Sequence, residues 1–381
     1  MKAAILGPTY PHRGGIAHYT TLLARALHER HELSLVSFRR LYPGLLFPGT
    51  TQFDTSEAPI APPVEPEPIL DSLNPLTWAR AGARLRSLRP DFLVVPWWHP
   101  FFGPSLGTAS RAARVKDGRP ARIFLCHNVA PHEATPLDRA LTTYGLGAAD
   151  AFLVHARSEA VKLERLARGR PVRVHPHPTY EVFSRRARGR EGARRSLELG
   201  EGERVILFFG YVRPYKGLED LLRALAIARP EAWDRLAIVG EFYEPPERYR
   251  ALLEDPRLRE KVRVVNRYVP NEEVSLWFEA ADVAALPYRE ATGSGIAQIA
   301  FGAGVPVIAT RTGGLEEVVE EGVSGLLVPP QDPPALARAV ERFFEQDMRD
   351  RLRAGVARSR GRFSWEGLVG AIEELAAACR T

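Results

Sequence analysis

The stretch Arg204-Val-Ile-Leu-Phe-Phe209-Gly210-Tyr211-Val212-Arg213-Pro214-Tyr215-Lys216-Gly217-Leu-Glu-Asp-Leu-Leu222 holds a strand, a loop and a helix entry in order. Five apolar residues in a row predict a fully buried strand. Gly210 then breaks it, and Gly217 opens a run with helical apolar spacing. Two cations, Arg213 and Lys216, stand in the loop beside the new helix N-terminus, where a diphosphate leaving group can be neutralised. Lys216 is the more informative of the two, because lysine supplies only 5 of the 52 basic residues.

Outward from this stretch the same alternation repeats. Behind it lie candidate strands Lys2–Leu6, His31–Phe38, Asp91–Val95, Arg122–Cys126, Asp150–Val154 and Val172–Val174. Ahead lie Arg235–Val239, Lys261–Val265, Asp282–Leu286, Val305–Ala309 and Gly325–Val328. Strands alternating with amphipathic helices predict parallel sheets, and 381 residues are enough for two α/β domains. The Pro-, Arg- and Gly-rich stretch 176–192 is the expected linker, and the proline-rich stretch 43–75 an extended excursion on the first domain. Ligands of such sheets bind beyond the strand carboxyl ends, so the motifs are expected to face one interdomain cleft.

Two further segments fit anion binding. Gly14-Gly15-Ile16 follows the first strand and opens a helix expected to run through Arg30; its glycines allow close backbone approach to a phosphate. Glu290-Ala-Thr-Gly-Ser294-Gly295-Ile296-Ala-Gln298 follows strand Asp282–Leu286 and places consecutive amides at another helix start. Glu290 and Gln298 flank that start, where both can turn to ligand hydroxyls.

Several chemistries lack an anchor. There is no G-x-x-x-x-G-K-[ST] loop, no H-E-x-x-H and no D-x-D pair, so any diphosphate is expected to meet protein groups and no metal or cofactor is expected. Gly293-Ser-Gly295 begins like a dinucleotide fingerprint but reaches Gln298 where Gly or Ala is required, which disfavours a Rossmann oxidoreductase. Cys126 and Cys379 match no zinc or redox spacing and read as packing residues of a reducing compartment. No apolar run approaches the roughly 18 residues of a membrane span, and Met1–Leu6 passes into a glycine turn without a signal-peptide core. A cytoplasmic chain is expected. The net charge of +6 is uneven: residues 1–180 hold 22 basic against 14 acidic residues, and residues 181–195 hold 6 against 2. An acidic substrate or an anionic membrane surface is therefore a candidate partner of the front half, with location at the inner membrane face.

Taken together, Gly14-Gly15-Ile16, Cys126-His127-Asn128, Arg213 with Lys216-Gly217, the Glu290–Gln298 segment, Gly302-Ala-Gly304-Val-Pro306 through Thr310, and Gly313-Gly314-Leu-Glu-Glu followed by Gly322-Val-Ser-Gly325 resemble the retaining GT-B glycosyltransferases of family four, the glycosyl transferases group 1. The resemblance spans nearly the whole chain. It implies two Rossmann-like domains: an acceptor domain over 1–180 with 362–381, joined by a C-terminal helix crossing back, and a nucleotide-sugar donor domain over 181–361. It also implies a hexose-type donor sugar, a glycan or lipid-linked acceptor and no nucleic acid.

By the same resemblance, Arg213 and Lys216 hold the donor diphosphate, assisted by amides of Gly14, Gly15, Ser294, Gly295 and Ile296. Glu290 matches the first acid of the family's E-x7-E motif and contacts the donor sugar. Gln298 stands where the second acid usually binds the ribose, and His127 matches the histidine near the reacting centre. Two departures are notable. Tyr211 occupies the usual arginine position of G-R-L-x-x-x-K-G, with Arg213 two residues later, and Gln298 replaces a charged acceptor. His12, Arg13, Trp98, His99 and His132 are candidate acceptor residues, with aromatic faces along Trp97–Phe102 suited to a sugar or lipid tail. Two other readings stay open: a nucleotide-sugar epimerase, which needs more carboxylates than Glu290 around the sugar, and a non-catalytic binder of nucleotide sugars or polyanions using the arginines of 185–195.

Overall fold

The structure, a computed structural model, describes residues 1–44, 51–129, 135–186, 188–345 and 348–380. It contains two parallel sheets. In the first are β1 (Lys2–Leu6), β2 (Glu32–Arg40), β3 (Glu67–Asp71), β4 (Phe92–Trp97), β5 (Ala121–Cys126), β6 (Ala151–Val154) and β7 (Val172–Val174), in the order β3-β2-β1-β4-β5-β6-β7. In the second are β8 (Val205–Phe209), β9 (Arg235–Val239), β10 (Val262–Val265), β11 (Val283–Leu286), β12 (Val307–Thr310) and β13 (Gly325–Val328), in the order β10-β9-β8-β11-β12-β13. Both sheets thus start in the middle, run to one edge and return to build the other half. The reversal falls between β1 and β4 in one and between β8 and β11 in the other, and the crevice at such a reversal is where open α/β sheets bind ligands.

The central strands β4, β5 and β8 are buried along their whole length, which explains why their sequences are apolar without alternation. Each sheet has its own core. One gathers Leu93, Val95, Trp97, Phe124, Cys126 and Phe152, and the other Ile206, Phe208, Leu221, Leu222, Trp233 and Ile238. Cys126 is a free buried thiol, pushed up by burial, and Cys379 is free and half-buried, as packing residues would be.

Three expectations need correction. The excursion 43–75 includes β3, which pairs beside β2 at the sheet edge; its short Glu-Pro-Ile-Leu-Asp sequence has too little periodicity to reveal a strand. The first helix is Gly15–His28 and stops two residues short of Arg30. The arginine-rich linker is structured: a 3-10 turn, Glu181–Arg186, leads into a helix, Gly189–Ser196. Within that helix Arg194 is fully buried, bridging Asp282 at 3.0 Å and donating to the carbonyls of Ala280 and Gly200. Arg190 reaches the same carboxylate at 2.7 Å. An arginine locked in this way is an internal tie and offers nothing to a polyanion.

The first unit comprises Met1–Thr55, Pro59–Pro176 and Trp365–Thr381; the second comprises Ser56–Ala58 and His177–Ser364. The division falls before Thr179 because its N–H donates to the Phe363 carbonyl at 3.0 Å and the Tyr180 N–H to the Gln298 carbonyl at 3.4 Å, both in the second unit. The final helix, Trp365–Ala378, buries Leu368, Val369, Ile372, Leu375 and Ala376, and ties back to the first unit through Glu373 to Arg30 (2.9 Å) and His31 (3.0 Å).

Candidate functional site

In the second unit the loops that follow β8 and β11 leave the sheet on either side of its reversal. The first loop turns at Gly210 (φ +95°) and Gly217 (φ +68°). A Cβ on Gly217 would stand 1.9 Å from the Pro287 carbonyl oxygen, so the two loops approach closer there than any side chain permits. A Cβ on Gly210 would meet the Lys216 ammonium at 3.1 Å and the Ile296 side chain at 3.2 Å. Lys216 and the first turn of the helix Gly295–Gly302 therefore converge on one point above Gly210.

Lys216 is only 7% exposed, and among the described residues its ammonium has no carboxylate within ion-pair distance. Burial, reinforced by the neighbouring positive charge of Arg213, pushes its pKa down to about 7. A buried cation without a counter-ion is costly unless an anion completes it. The ring centre of Tyr288 lies 5.7 Å from its Nζ. Arg213 is exposed and extended (φ −137°, ψ 153°), its guanidinium 4.8 Å from the centre of the Tyr243 ring.

Ser294 caps the helix Gly295–Gly302, its Oγ accepting from the Ala297 N–H at 3.2 Å. That leaves the amides of Gly295 and Ile296 at the positive end of the helix for an anion. Gln298, one turn on, is 1% exposed and its Oε1 has no hydrogen-bond partner among the described residues. Glu290 lies exposed in the preceding loop.

Sequence reasoning missed the tie that fixes these loops. Arg289 makes two bonds to Asp220 (2.8 and 2.9 Å) and approaches Glu219 at 3.5 Å, while its own N–H donates to the Tyr215 carbonyl at 2.7 Å. Asp220 opens the helix Leu218–Ile227 that follows Gly217, so this pair holds the Glu290 loop against the Lys216 loop. Residues 69 positions apart give no spacing signal, and an acid in a first helical turn reads only as a dipole complement.

In the first unit, Gly14 (φ +103°) precedes the helix Gly15–His28 without a side-chain cap, and a Cβ on Gly15 would meet nothing within 4 Å. The helix entry is open. His12 and Arg13, just before it, are both buried. The His12 Nε2 pairs with the Phe38 carbonyl at 2.8 Å and its ring stacks on Phe53; burial pushes its pKa below the ordinary range, against the opposing effect of that bond. Trp98 is half-buried, packed on Phe102 (centroids 4.3 Å) and donating to the Tyr42 hydroxyl at 3.1 Å. The imidazole of His99 is exposed and accepts the Phe101 N–H. His132 lies outside the described residues.

His127 leaves β5 with its N–H on the Trp97 carbonyl (2.8 Å), and its ring meets Tyr19 edge-on at 4.4 Å. Tyr19 in turn touches His155 (5.3 Å) and Trp365 (5.1 Å). The buried Glu159 accepts the Val129 N–H at 2.7 Å and pairs with Lys162 at 2.6 Å, while Trp97 Nε1 donates to the Val129 carbonyl at 3.2 Å. Both backbone polar groups of Val129, two residues beyond His127, are thereby held. Neither Glu159 nor Tyr19 carried a sequence signal, since each sits in an ordinary amphipathic helix. Among the described residues no group of three or more His, Cys, Asp or Glu side chains is placed to hold a metal ion, and no helix is long and apolar enough to cross a membrane.

Solved structures share this architecture end to end. HepE from Anabaena, in complex with UDP, superposes with a TM-score of 0.75 at 17% identity, covering 99% of this chain and 100% of that one. The sucrose-phosphate synthase from Thermosynechococcus elongatus gives 0.72 at 20% identity, covering 99% of both chains. The fold is thus α/β of the GT-B class, built of two Rossmann-like units. Residues 203–346, within the second unit, match the family model described as Glycosyl transferases group 1. A D-inositol 3-phosphate glycosyltransferase from a Nocardioides species is 37% identical over 236 residues, which is 58% of this chain and 51% of that protein. The chain spans about half the length of the curated relatives it matches.

Proposed function

We propose that this chain is a retaining, metal-independent glycosyltransferase that moves a hexose-type sugar from a nucleoside diphosphate sugar to a hydroxyl acceptor. One observation carries the reading: the buried, carboxylate-free ammonium of Lys216 beside an open helix N-terminus at the sheet reversal. Two negative charges of a diphosphate match this pair of positive ends. Lys216, Arg213 and the amides of Ser294, Gly295 and Ile296 would hold the diphosphate, with Glu290 on the donor sugar and Gln298 on the ribose. Gly14 and Gly15 would offer a further amide turn, and His127 would position a sugar hydroxyl.

In the reaction the bond from the anomeric carbon to the diphosphate oxygen breaks, and a bond from the acceptor oxygen to that carbon forms on the same face. The acceptor's hydroxyl proton passes to the departing phosphate oxygen. Negative charge grows on the leaving group as the bond lengthens, so Lys216 and the helix amides act more strongly on the transition state than on the bound donor. The second unit would bind the donor and the first unit the acceptor. There Arg13, Trp98 and His99, with His12 supporting the loop, would face a glycan or lipid-linked acceptor. The chain's excess of basic residues suits work at an anionic membrane surface, in the cytoplasm.

The test is a panel of UDP-, GDP- and ADP-sugars, scored by sugar release and by transfer to candidate acceptors, D-inositol 3-phosphate among them. Turnover of one donor by the native chain, reduced at least 100-fold in Lys216→Ala, supports the reading. Turnover of none, with polyanions bound instead, overturns it in favour of a non-catalytic binder.

A further inference from the structure

Beyond β8 and β9 the chain does not separate at once. Gly240 comes so close to Gly210 that a Cβ on it would lie 2.2 Å from the Gly210 carbonyl oxygen. Past that contact the Val212 N–H donates to the Glu241 carbonyl at 2.9 Å, and the Tyr243 N–H donates to the Val212 carbonyl at 3.0 Å, a parallel bridge continuing the sheet by one rung. Side chains two apart on an extended segment share a face. With Val212 buried beneath, Tyr211 and Arg213 both come to Tyr243: the two tyrosine rings lie 4.5 Å apart, and the Arg213 guanidinium stands 4.8 Å from the Tyr243 ring centre.

Arginines on this unit commonly meet carboxylates, as Arg204 meets Asp234 and Arg289 meets Asp220. Arg213 has no carboxylate or hydrogen-bond partner for its guanidinium among the described residues. The difference is chemical. A carboxylate would consume the charge and occupy the N–H edges, whereas a ring takes the flat face and leaves the edge donors available in one plane for phosphate oxygens.

We infer that Tyr243 is a positioning residue for the diphosphate: it holds Arg213, un-neutralised and edge-outward, towards that group. This rests on the donor-site reading above and names how that site retains its second cation. Tyr211 packs on the same Tyr243 ring, tilted by 31°.

The experiment is a double-mutant cycle on Arg213 and Tyr243, read by calorimetric titration with UDP, GDP and ADP. Tyr243→Leu is expected to weaken binding of the preferred nucleotide about 5-fold, and Tyr243→Phe to stay within about 2-fold of native, since the ring face is retained. In an Arg213→Ala background Tyr243→Leu should cost nothing further. Arg213→Lys should bind more weakly than native, because an ammonium has no planar edge to present. An equal loss from Tyr243→Leu with and without Arg213 overturns the inference, because Tyr243 would then act on its own. So does a Tyr243→Phe variant as weak as Tyr243→Leu. Lys216→Ala, run beside them, separates the two levels. If it leaves binding intact, or no nucleotide binds the native chain, the donor-site reading fails and this inference with it. If Lys216→Ala abolishes binding while Tyr243→Leu does not alter it, only the role of Tyr243 falls.

Discussion

At Lys216 the folded chain takes most of the water from an ammonium and supplies no carboxylate in return. Its pKa falls to about 7 from an unfolded value near 10.5. Below pH 7 the group is charged in both states and the full desolvation cost is present; between about 7 and 10.5 the unfolded chain binds more protons, so stability rises with pH. Lys216→Met is therefore expected to be more stable than native at pH 6, by an amount on the order of a few kcal/mol, with the gap closing towards pH 10. Denaturant titrations of both chains at pH 6, 8 and 10 check this. An unchanged gap across that range would show that the ammonium is not desolvated. Such a residue is legible in sequence only through its rarity among 47 arginines and its place before Gly217; its burial came from the packing of Tyr288, Ile296 and Gly210 around it.

Among the elements, β11 is tied at both ends, and the tie at its far end holds together the two loops at the β8/β11 reversal. At its start the fully buried Asp282 accepts the Val205 N–H at 2.8 Å and bridges Arg190 and Arg194, with Arg349 at 3.4 Å. Asp282→Ala leaves those guanidinium groups without their shared acceptor and is expected to destabilise the chain by about 3–5 kcal/mol, measured by denaturant unfolding. At the far end, Asp220→Asn loosens the Arg289 pair. We expect about a 10-fold rise in donor KM with a smaller change in melting temperature, since the pair is partly exposed and fixes loop position more than fold. A fall in kcat alone would indicate another role. The strands at this scale were readable because buried parallel strands are short apolar runs between glycines, as at Val205–Phe209 and Gly325–Val328. β3 was not, because an edge strand with Pro68 in it carries no such run. The arginine-rich helix was misread as a linker for a related reason: Arg194 pairs with an aspartate 88 residues away, and composition cannot distinguish a buried arginine from a solvated one.

At the scale of the whole molecule, the final helix belongs to the first unit although it follows the second in sequence. It covers Tyr19 through Trp365 and ties Glu373 to Arg30 and His31, Glu374 to Arg173 and Arg380 to Asp91. Removing residues 365–381 deletes the five buried apolar side chains with which that helix covers the first unit. At about 1–3 kcal/mol for each, the loss is large enough to unfold the first unit. Hydrogen exchange of the truncated chain should show protection lost in β1, β5 and β6 and retained in β8, β11 and β12. Equal loss in both sheets would contradict the division into two units. The two-sheet plan and the returning helix were legible through the repeated strand–helix alternation and the motif resemblance. The grouping of Thr179 and Tyr180 with the second unit was not, because it depends on single backbone bonds to Phe363 and Gln298.

The central claim is that the second unit binds a nucleoside diphosphate through Lys216, and its most direct test is proton linkage. UDP, GDP and ADP are titrated calorimetrically into the native chain at pH 8, in two buffers of different ionisation enthalpy. With a free pKa of about 7, Lys216 is mostly neutral at that pH, and a bound diphosphate should restore its charge. The account predicts that one nucleotide binds with uptake of close to one proton, and that both signals vanish in Lys216→Ala. Binding without proton uptake, or binding that survives Lys216→Ala, would contradict it.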